Sequence, residues 1–456
     1  MVKKIIENTI EIFSANWNVN GGKQSFVKLG NNNIFLQRGY NLFGIKNNTI
    51  HLLEIFDGFF DDWSETMQTY IKKIYDTQTS KYDYIIMVTH DDVTNKTTPR
   101  ILQNYLIFLG CKKLKELLFR GSYLLIFDLK RNEILLEICE NNYPIHSWLE
   151  LVNNNGDYKL EDLGVPVYLI VYNLAYFAKR SVDQLKKYTR NIHIIDNRST
   201  FPDLLKYYDN EYEFFLHTME NNYGHMVWLN ELYWQFPKYF AISDPDLEFN
   251  TKLPHNFLNI LQTLSNNYKK GKVGFALDIS DSHLFFEHDN STGYPPIDVW
   301  EKQFWIKTIE HPTYELYNAM IDTTFCMINK EFLNDLDGLR IAGNFTCKHT
   351  PWYDGWYKTI PEQEWEFYKK NNISSSTLKM ISNMKTHNDN KSVTLFRDVE
   401  NMINTMGKFI QKIDEQHILP DNCDIITKNI NTCIDMLTHY NVTLSQYIIN
   451  NKNNKI

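Results

Sequence analysis

Residues 239–250 read Tyr-Phe-Ala-Ile-Ser-Asp-Pro-Asp-Leu-Glu-Phe-Asn, an apolar run that stops at two carboxylates, Asp244 and Asp246, one residue apart. A strand ending in this way delivers both side chains to the carboxyl edge of a sheet, where the ligands of open α/β folds collect. Two hard oxygen donors held this close suit Mg²⁺ or Mn²⁺, which bind through one or two carboxylates and leave other positions to water and phosphates. A plain turn is the competing reading, because proline fixes φ and aspartate bonds its own backbone.

The flanking sequence favours the sheet edge. Gly164-Val-Pro-Val-Tyr-Leu-Ile-Val-Tyr-Asn173 reads as a buried strand, and Leu174 to Tyr188 carries apolar residues at Leu174, Phe177, Val182 and Leu185, as a helix does. A second apolar run, Asn191-Ile-His-Ile-Ile195, ends in Asp196-Asn-Arg-Ser-Thr200, and a further helical pattern follows in Pro202 to Tyr208. Strand, helix, strand, helix at this spacing predicts a βαβ unit and a parallel sheet.

In this order, Pro-Val-Tyr-Leu-Ile-Val-Tyr-Asn-Leu, Ile-Ile-Asp-Asn-Arg-Ser-Thr-Phe-Pro-Asp-Leu-Leu and Ile-Ser-Asp-Pro-Asp-Leu resemble a GT-A fold glycosyltransferase of the family 2-like type, which uses a nucleotide-sugar donor. Ala319-Met-Ile-Asp-Thr-Thr-Phe-Cys-Met-Ile328 and Arg340-Ile-Ala-Gly-Asn-Phe-Thr-Cys-Lys-His-Thr-Pro-Trp-Tyr353 resemble the closing half of that domain. The resemblance spans about residues 160 to 370. It implies that Asp196 contacts the base or ribose of a UDP-sugar, that Tyr172 and Asn173 lie beside the nucleotide, and that Asp244 and Asp246 hold Mn²⁺ or Mg²⁺ on the diphosphate. His349 matches the position of a third metal ligand, a role suited to neutral imidazole. No Gly-rich phosphate cradle is present, so the metal would carry much of the leaving-group stabilisation, with Arg340 and Lys348 as candidate assisting cations.

Acceptor activation in an inverting transferase requires a carboxylate base. Asp322 is the first candidate, because it lies in the apolar stretch Met320 to Ile328, where a carboxylate is costly to bury. Glu301 is the second, and Asp278 or Asp281 the third. The Glu-Asp pair that many inverting relatives carry is missing. Trp300, Phe304, Trp305, Trp352, Tyr353, Trp356 and Tyr357 could offer flat faces to sugar rings. Asn221-Asn-Tyr-Gly-His225 resembles the donor-proximal loop of the fold.

The first 150 residues read as a separate α/β unit. Strands are expected at Tyr40 to Ile45, Ile50 to Phe56, Tyr84 to His90 and Ser122 to Asp128, with helices from Asp62 to Ile74 and Pro99 to Leu109. The order of Phe56-Asp-Gly-Phe-Phe-Asp-Asp-Trp, Tyr-Asp-Tyr-Ile-Ile-Met-Val-Thr-His-Asp-Asp-Val-Thr, Leu-Gly-Cys and Phe119-Arg-Gly-Ser-Tyr-Leu-Leu-Ile is similar to the interleukin-like (ILEI or PANDER-type) domain. That domain also forms the sugar-binding stem of a mammalian protein O-mannose N-acetylglucosaminyltransferase. The resemblance implies that this part grips a glycan or glycoprotein acceptor.

The fold expectation is therefore α/β throughout: a sugar-binding-like domain over 1–150, a GT-A, Rossmann-like transferase domain over 151–372, and a helical extension over 373–456. The extension shows apolar residues at Leu395, Val399, Met402, Ile403, Met406, Phe409 and Ile410, a stripe that would pack on the catalytic domain or form a homodimer. The 456 residues and 43% hydrophobic content suffice for two or three packed cores. A net charge of −8 and a pI near 6.0 argue against a nucleic-acid partner. No stretch has the length of a membrane span and the polar start does not open a signal peptide, which predicts a soluble, intracellular protein. Six cysteines without Cys-x-x-Cys spacing indicate neither zinc nor a disulfide framework. Abundant Asn, Lys, Ile and Tyr fits an AT-rich coding genome, such as that of a large DNA virus or a parasite.

Two functions follow as expectations. One is a metal-dependent transferase moving a hexose or N-acetylhexosamine from a UDP-sugar to a glycan or protein hydroxyl. The other is a carbohydrate-binding or scaffold protein that keeps the fold without turnover, since fold alone does not settle activity. A nucleotidyltransferase is a more distant third.

Overall fold

The computed structural model describes residues 8–371, apart from 17–18, 20–23, 58–63, 77–80, 92, 94–99, 211–212, 231, 287–295 and 335–336. The stretch 372–456, with the helical extension expected there, lies outside the described residues. The described chain is mixed α/β.

Ten strands come first: β1 Thr9–Ser14, β2 Phe26–Leu29, β3 Asn32–Phe35, β4 Gly39–Lys46, β5 Thr49–Phe56, β6 Tyr84–His90, β7 Ser122–Asp128, β8 Glu133–Glu140, β9 Ile145–Asn154 and β10 Asp157–Asp162. They build two five-stranded antiparallel sheets, ordered β10-β9-β1-β2-β3 and β5-β4-β6-β7-β8. Alternate residues of each strand point to opposite faces. One set, including Ile10, Ile12, Val27, Phe43, Ile45, Ile86, Val88, Leu124 and Ile126, closes the core shared by the two sheets. The opposite set, Tyr40, Leu42, Met87, Tyr123 and Leu125, forms a second core with Met67 of helix α1 (Ser64–Asp76) and Leu106 of helix α2 (Arg100–Phe108). The expected boundary after residue 150 falls inside β9, which continues through the β10 hairpin to Asp162.

The remaining strands are β11 Val167–Val171, β12 Ile192–Asp196, β13 Phe215–Thr218, β14 Tyr239–Ser243, β15 Leu247–Phe249, β16 Lys272–Phe275, β17 Thr308–Ile309, β18 Leu316–Asn318, β19 Cys326–Asn329, β20 Gly338–Ile341 and β21 Cys347–His349. Nine form one sheet in the order β13-β12-β11-β14-β19-β16-β20-β18-β17, while β15 and β21 make a separate two-stranded ribbon. The first four are mutually parallel, as the βαβ pattern predicts. The sheet as a whole is mixed, because β19 runs antiparallel to both β14 and β16, and β18 antiparallel to β20. Strand β11 is buried on both faces, which explains its unbroken apolar run. Val167, Leu169 and Val171 meet helices α3 (Ala175–Leu185), α4 (Pro202–Asn210) and α5 (Phe257–Tyr268), while Tyr168 and Ile170 join Trp228, Phe236 and Phe240 on the other side. Two short helices close the list, α6 (Ile297–Lys302) and α7 (Glu362–Asn371).

The N-terminal sheets dock on the back of this sheet through aromatic and imidazole contacts. Trp148 meets His193 edge-on at 4.6 Å, and Phe13 meets Trp234 at 5.5 Å. His146 Nδ1 faces Gln235 O at 2.9 Å and its Nε2 faces Glu11 Oε1 at 2.8 Å. A carbonyl can only accept, so Nδ1 carries a proton. Among the described residues no helix is long and apolar enough to cross a membrane, and Cys111, Cys139, Cys326 and Cys347 are free thiols.

Gly274 of β16 sits where no side chain fits, since a Cβ there would lie 2.2 Å from Phe325 O and 2.7 Å from Cys326 Cβ. Gly274→Ala is expected to lower stability by about 1–3 kcal/mol, the usual cost of overpacking a close-packed site. Urea denaturation of the two proteins side by side would measure this.

Candidate functional site

Because β11, β12, β13 and β14 are parallel, their carboxyl ends share one edge, and the residues that follow them converge there. Asp244 follows β14. Its backbone N–H donates to Thr323 O at 3.0 Å, and Thr323 Oγ1 donates back to its Oδ2 at 2.8 Å. Burial, then the carboxylates of Asp246 and Asp322, push the Asp244 carboxyl well above the ordinary carboxylate range. Asp244 is thus a buried acid with two further carboxylates close enough to oppose its charge.

The β15–β21 ribbon supplies the imidazole. Leu247 pairs with His349 in its antiparallel register, and Thr350 N donates to Asp246 O at 3.0 Å. Asp246 and His349 are thereby neighbours, with Nε2 3.6 Å from Oδ1. Both side chains are mostly buried, yet Asp246 Oδ1 and His349 Nδ1 have no hydrogen-bond partner. An unpaired buried carboxylate oxygen is costly unless something positive or hydrogen-bonding meets it. A divalent cation fits that need, with Asp246 and His349 as the pair to hold it and Asp244 beside them. Among the described residues, no group of three or more His, Cys, Asp or Glu side chains stands at ligating distance of a common point.

Of the residues expected at the nucleotide, Asn173 and Asp196 are buried and hydrogen-bonded within the turns that follow their strands. Asn173, at φ 56°, is fully buried, and its Oδ1 accepts from Thr200 N at 2.7 Å and Phe201 N at 3.0 Å. Asparagine tolerates that left-handed backbone while capping the turn that leads into α4. Asp196 is 1% exposed, and its oxygens accept from Ser199 N at 3.0 Å and from Tyr208 Oη at 3.1 Å. Burial raises its pKa against those hydrogen bonds. A carboxylate enclosed and engaged in this way presents no acceptor to a ribose. Tyr172 is half-buried, with its hydroxyl 3.5 Å from Asn371 O.

What the edge does expose comes from neighbouring positions. Arg198, in the left-handed region at φ 62°, is exposed and donates to Asn221 Oδ1 at 3.1 Å. Asn197 holds the Asn221 to His225 loop by donating to Gly224 O at 2.8 Å and accepting from Tyr223 N at 3.2 Å. The signal for these residues in the sequence is the polar run Asp196 to Thr200 at the end of β12.

The candidate bases also sort differently from expectation. Asp322 is exposed between buried Ile321 and Thr323, so its carboxylate bears no cost of burial. Its Oδ1 accepts from Thr324 N at 3.1 Å, and its carboxylate stands open to solvent beside Asp244. Glu301 is 2% exposed on α6 and bound to Arg340, so its carboxylate is enclosed where that of Asp322 is open. Arg340 is itself buried against Glu301, and Lys348 is paired with Asp281, which also accepts from Tyr353 Oη at 2.8 Å. Both cations are thus engaged with carboxylates, Arg340 in the interior and Lys348 at the surface. Of the aromatic residues, Trp356 and Phe304 are buried, whereas Trp300 is 52% exposed.

No protein-family model matches the chain, and no curated protein matches it. The geometry itself defines a mixed α/β protein whose central sheet gathers Asp244, Asp246, Asp322 and His349 at one edge.

Burial pushes the Glu301 carboxyl up to about 7, with Arg340 pulling it down. A carboxyl whose folded pKa is raised contributes stability that is fully present below its unfolded pKa and lost as pH rises through the folded one. Wild type is therefore expected to lose stability between about pH 4.5 and about pH 7, and Glu301→Gln to flatten that fall. Denaturation midpoints across this window, compared between the two proteins, provide the check.

Proposed function

We propose that this chain is a metal-dependent glycosyltransferase that moves a hexose or N-acetylhexosamine from a UDP-sugar to a glycan or protein hydroxyl. The observation that carries the reading is Asp246 Oδ1, buried without a hydrogen bond and 3.6 Å from His349 Nε2, beside Asp244 at the carboxyl edge of the parallel strands. Carboxylate, imidazole and an open edge are what a cation on a nucleoside diphosphate requires. The GT-A arrangement of the nine-stranded sheet belongs to the same proposal, and its four parallel strands followed by a mixed half support it.

In this reading Asp246 and His349 would hold Mn²⁺ or Mg²⁺, with Asp244 adjacent, and the ion when bound would offset the negative charge that develops on the departing diphosphate. Asp322 takes the proton of the acceptor hydroxyl as that oxygen bonds to the anomeric carbon and the bond from this carbon to the diphosphate oxygen breaks. Its exposure makes it accessible to an acceptor, and its hydrogen bond from Thr324 N fixes its orientation. Arg198 and the Asn221 to His225 loop are the exposed groups at the nucleotide end of the edge. Trp300, standing out from α6, offers a face for an acceptor sugar. The N-terminal sheets assist in holding the acceptor.

One observation favours a second reading, a carbohydrate-binding protein without turnover: the acid after β12, Asp196, is enclosed rather than presented.

Nucleoside diphosphate release from a panel of nucleotide sugars, with Mn²⁺ or EDTA, separates the two. Donor-specific release is expected in wild type with metal, abolished by EDTA and reduced at least ~100-fold in Asp246→Ala, with His349→Ala losing about 10–100-fold in metal affinity. Sugar binding with no turnover of any donor would favour the second reading.

A further inference from the structure

The loop that carries Asp322 is held by buried cations at the backbone. Ala319 N donates to Gly338 O at 3.1 Å, Arg340 Nε donates to Met320 O at 3.0 Å, and Lys272 Nζ donates to Ile321 O at 2.9 Å. Beyond Asp322 the Thr323 backbone and hydroxyl meet Asp244. Successive residues on both sides of one exposed carboxylate are thus tied down, while the carboxylate itself is left out of the network apart from Thr324 N.

Both cations are deeply buried, Lys272 and Arg340 each being 4% exposed. Burying a charge to hold a single carbonyl is expensive unless the charge is paired. Arg340 meets that requirement through a second arm. Its Nη1 binds Glu301 of α6, and its guanidinium lies 4.2 Å from the ring centroid of Phe304. The planar fork of arginine can reach a carboxylate and a carbonyl at once, which a lysine ammonium does less well. The strand pairing explains how Arg340 and Lys272 serve one loop: β16 and β20 are parallel neighbours, with Lys272 opposite Gly338 and Gly274 opposite Arg340.

We infer that Arg340, backed by Glu301 and Phe304 and joined by Lys272, is the positioning residue that holds the Asp322 loop against Asp244. The inference rests on the transferase reading for what Asp322 does, and on the hydrogen bonds alone for what Arg340 does. Arg340 never touches substrate. Its effect reaches the reaction through Met320 O and the loop backbone.

The test uses the full chain in three forms: wild type, Arg340→Lys, and the neutral pair Glu301→Gln with Arg340→Gln, which avoids leaving a buried charge alone. Amide hydrogen exchange is followed by mass spectrometry without ligand, and nucleoside diphosphate release is followed with donor, Mn²⁺ and acceptor sugars. The expected result is exchange at least ~10-fold faster in the peptide spanning residues 319–324, with the peptide spanning 347–352 unchanged. Arg340→Lys should recover part of the protection, because it keeps the charge beside Glu301. In turnover, kcat should fall about tenfold or more while the donor KM stays within about threefold, the signature of a group that acts after donor binding. Unchanged exchange at 319–324 would overturn the inference, and so would equal loosening of both peptides. Faster loop exchange in the variants together with no turnover in wild type would uphold the pinning and sink the transferase reading.

Discussion

The antiparallel pairing of Tyr239–Ser243 with Cys326–Asn329 is the joint on which the rest of this structure depends. On one side of it lies a set of parallel strands whose carboxyl ends face one way, and on the other a set of mixed direction. The ladder is extended past the strand ends by Asp244 and Thr323, residues 79 apart in the chain, which bond through backbone and side chain. Without that extension the carboxylate after β14 and the carboxylate before β19 would belong to different parts of the molecule.

Charge is balanced around this joint in layers. The edge itself is acidic, and burial together with the carboxylates of Asp246 and Asp322 raises the cost of ionising Asp244. Behind it Arg340 and Lys272 are buried, and they are directed at backbone carbonyls and at Glu301 rather than at the acids of the edge. Removing one partner of such a buried pair typically costs about 3–5 kcal/mol. The cations hold a loop and leave the acids of the edge without a lysine or arginine partner among the described residues.

The N-terminal sheets are fastened to the Tyr168 side of the central sheet by a different kind of contact. Rings dominate, with His146 stacked on Trp148 at 4.0 Å and Trp148 set against His193. The hydrogen bonds of His146 to Glu11 and Gln235 O give that packing a direction, since each satisfies a buried polar group that would otherwise oppose the docking. The two parts of residues 8–371 therefore meet through a specific seam as well as through the chain that joins them.

Local pattern carried much of this. Periodicity located the strands at 84–90 and 122–128, the βαβ unit from β11 to α4 and the strand ending at Asp244, because burial on both faces or on one leaves a direct imprint on residue order. The acids at 244 and 246 were legible for the same reason, as polar residues that end an apolar run. Their partner His349 was suggested by resemblance and brought close by the ribbon register.

Only the tertiary structure decided which carboxylates face solvent. Asp196 and Glu301 look as free as Asp322 in the linear sequence, but Tyr208, Ser199 and Arg340 reach the first two from other elements and leave the third exposed. Asn173 similarly resembles a ligand until its oxygen is seen to accept two backbone donors across a turn. A residue's type and its place on a strand are local properties and can be read from the chain. Its hydrogen-bond partners and its access to water depend on segments dozens of residues away, and they exist only once the sheet has brought those segments together.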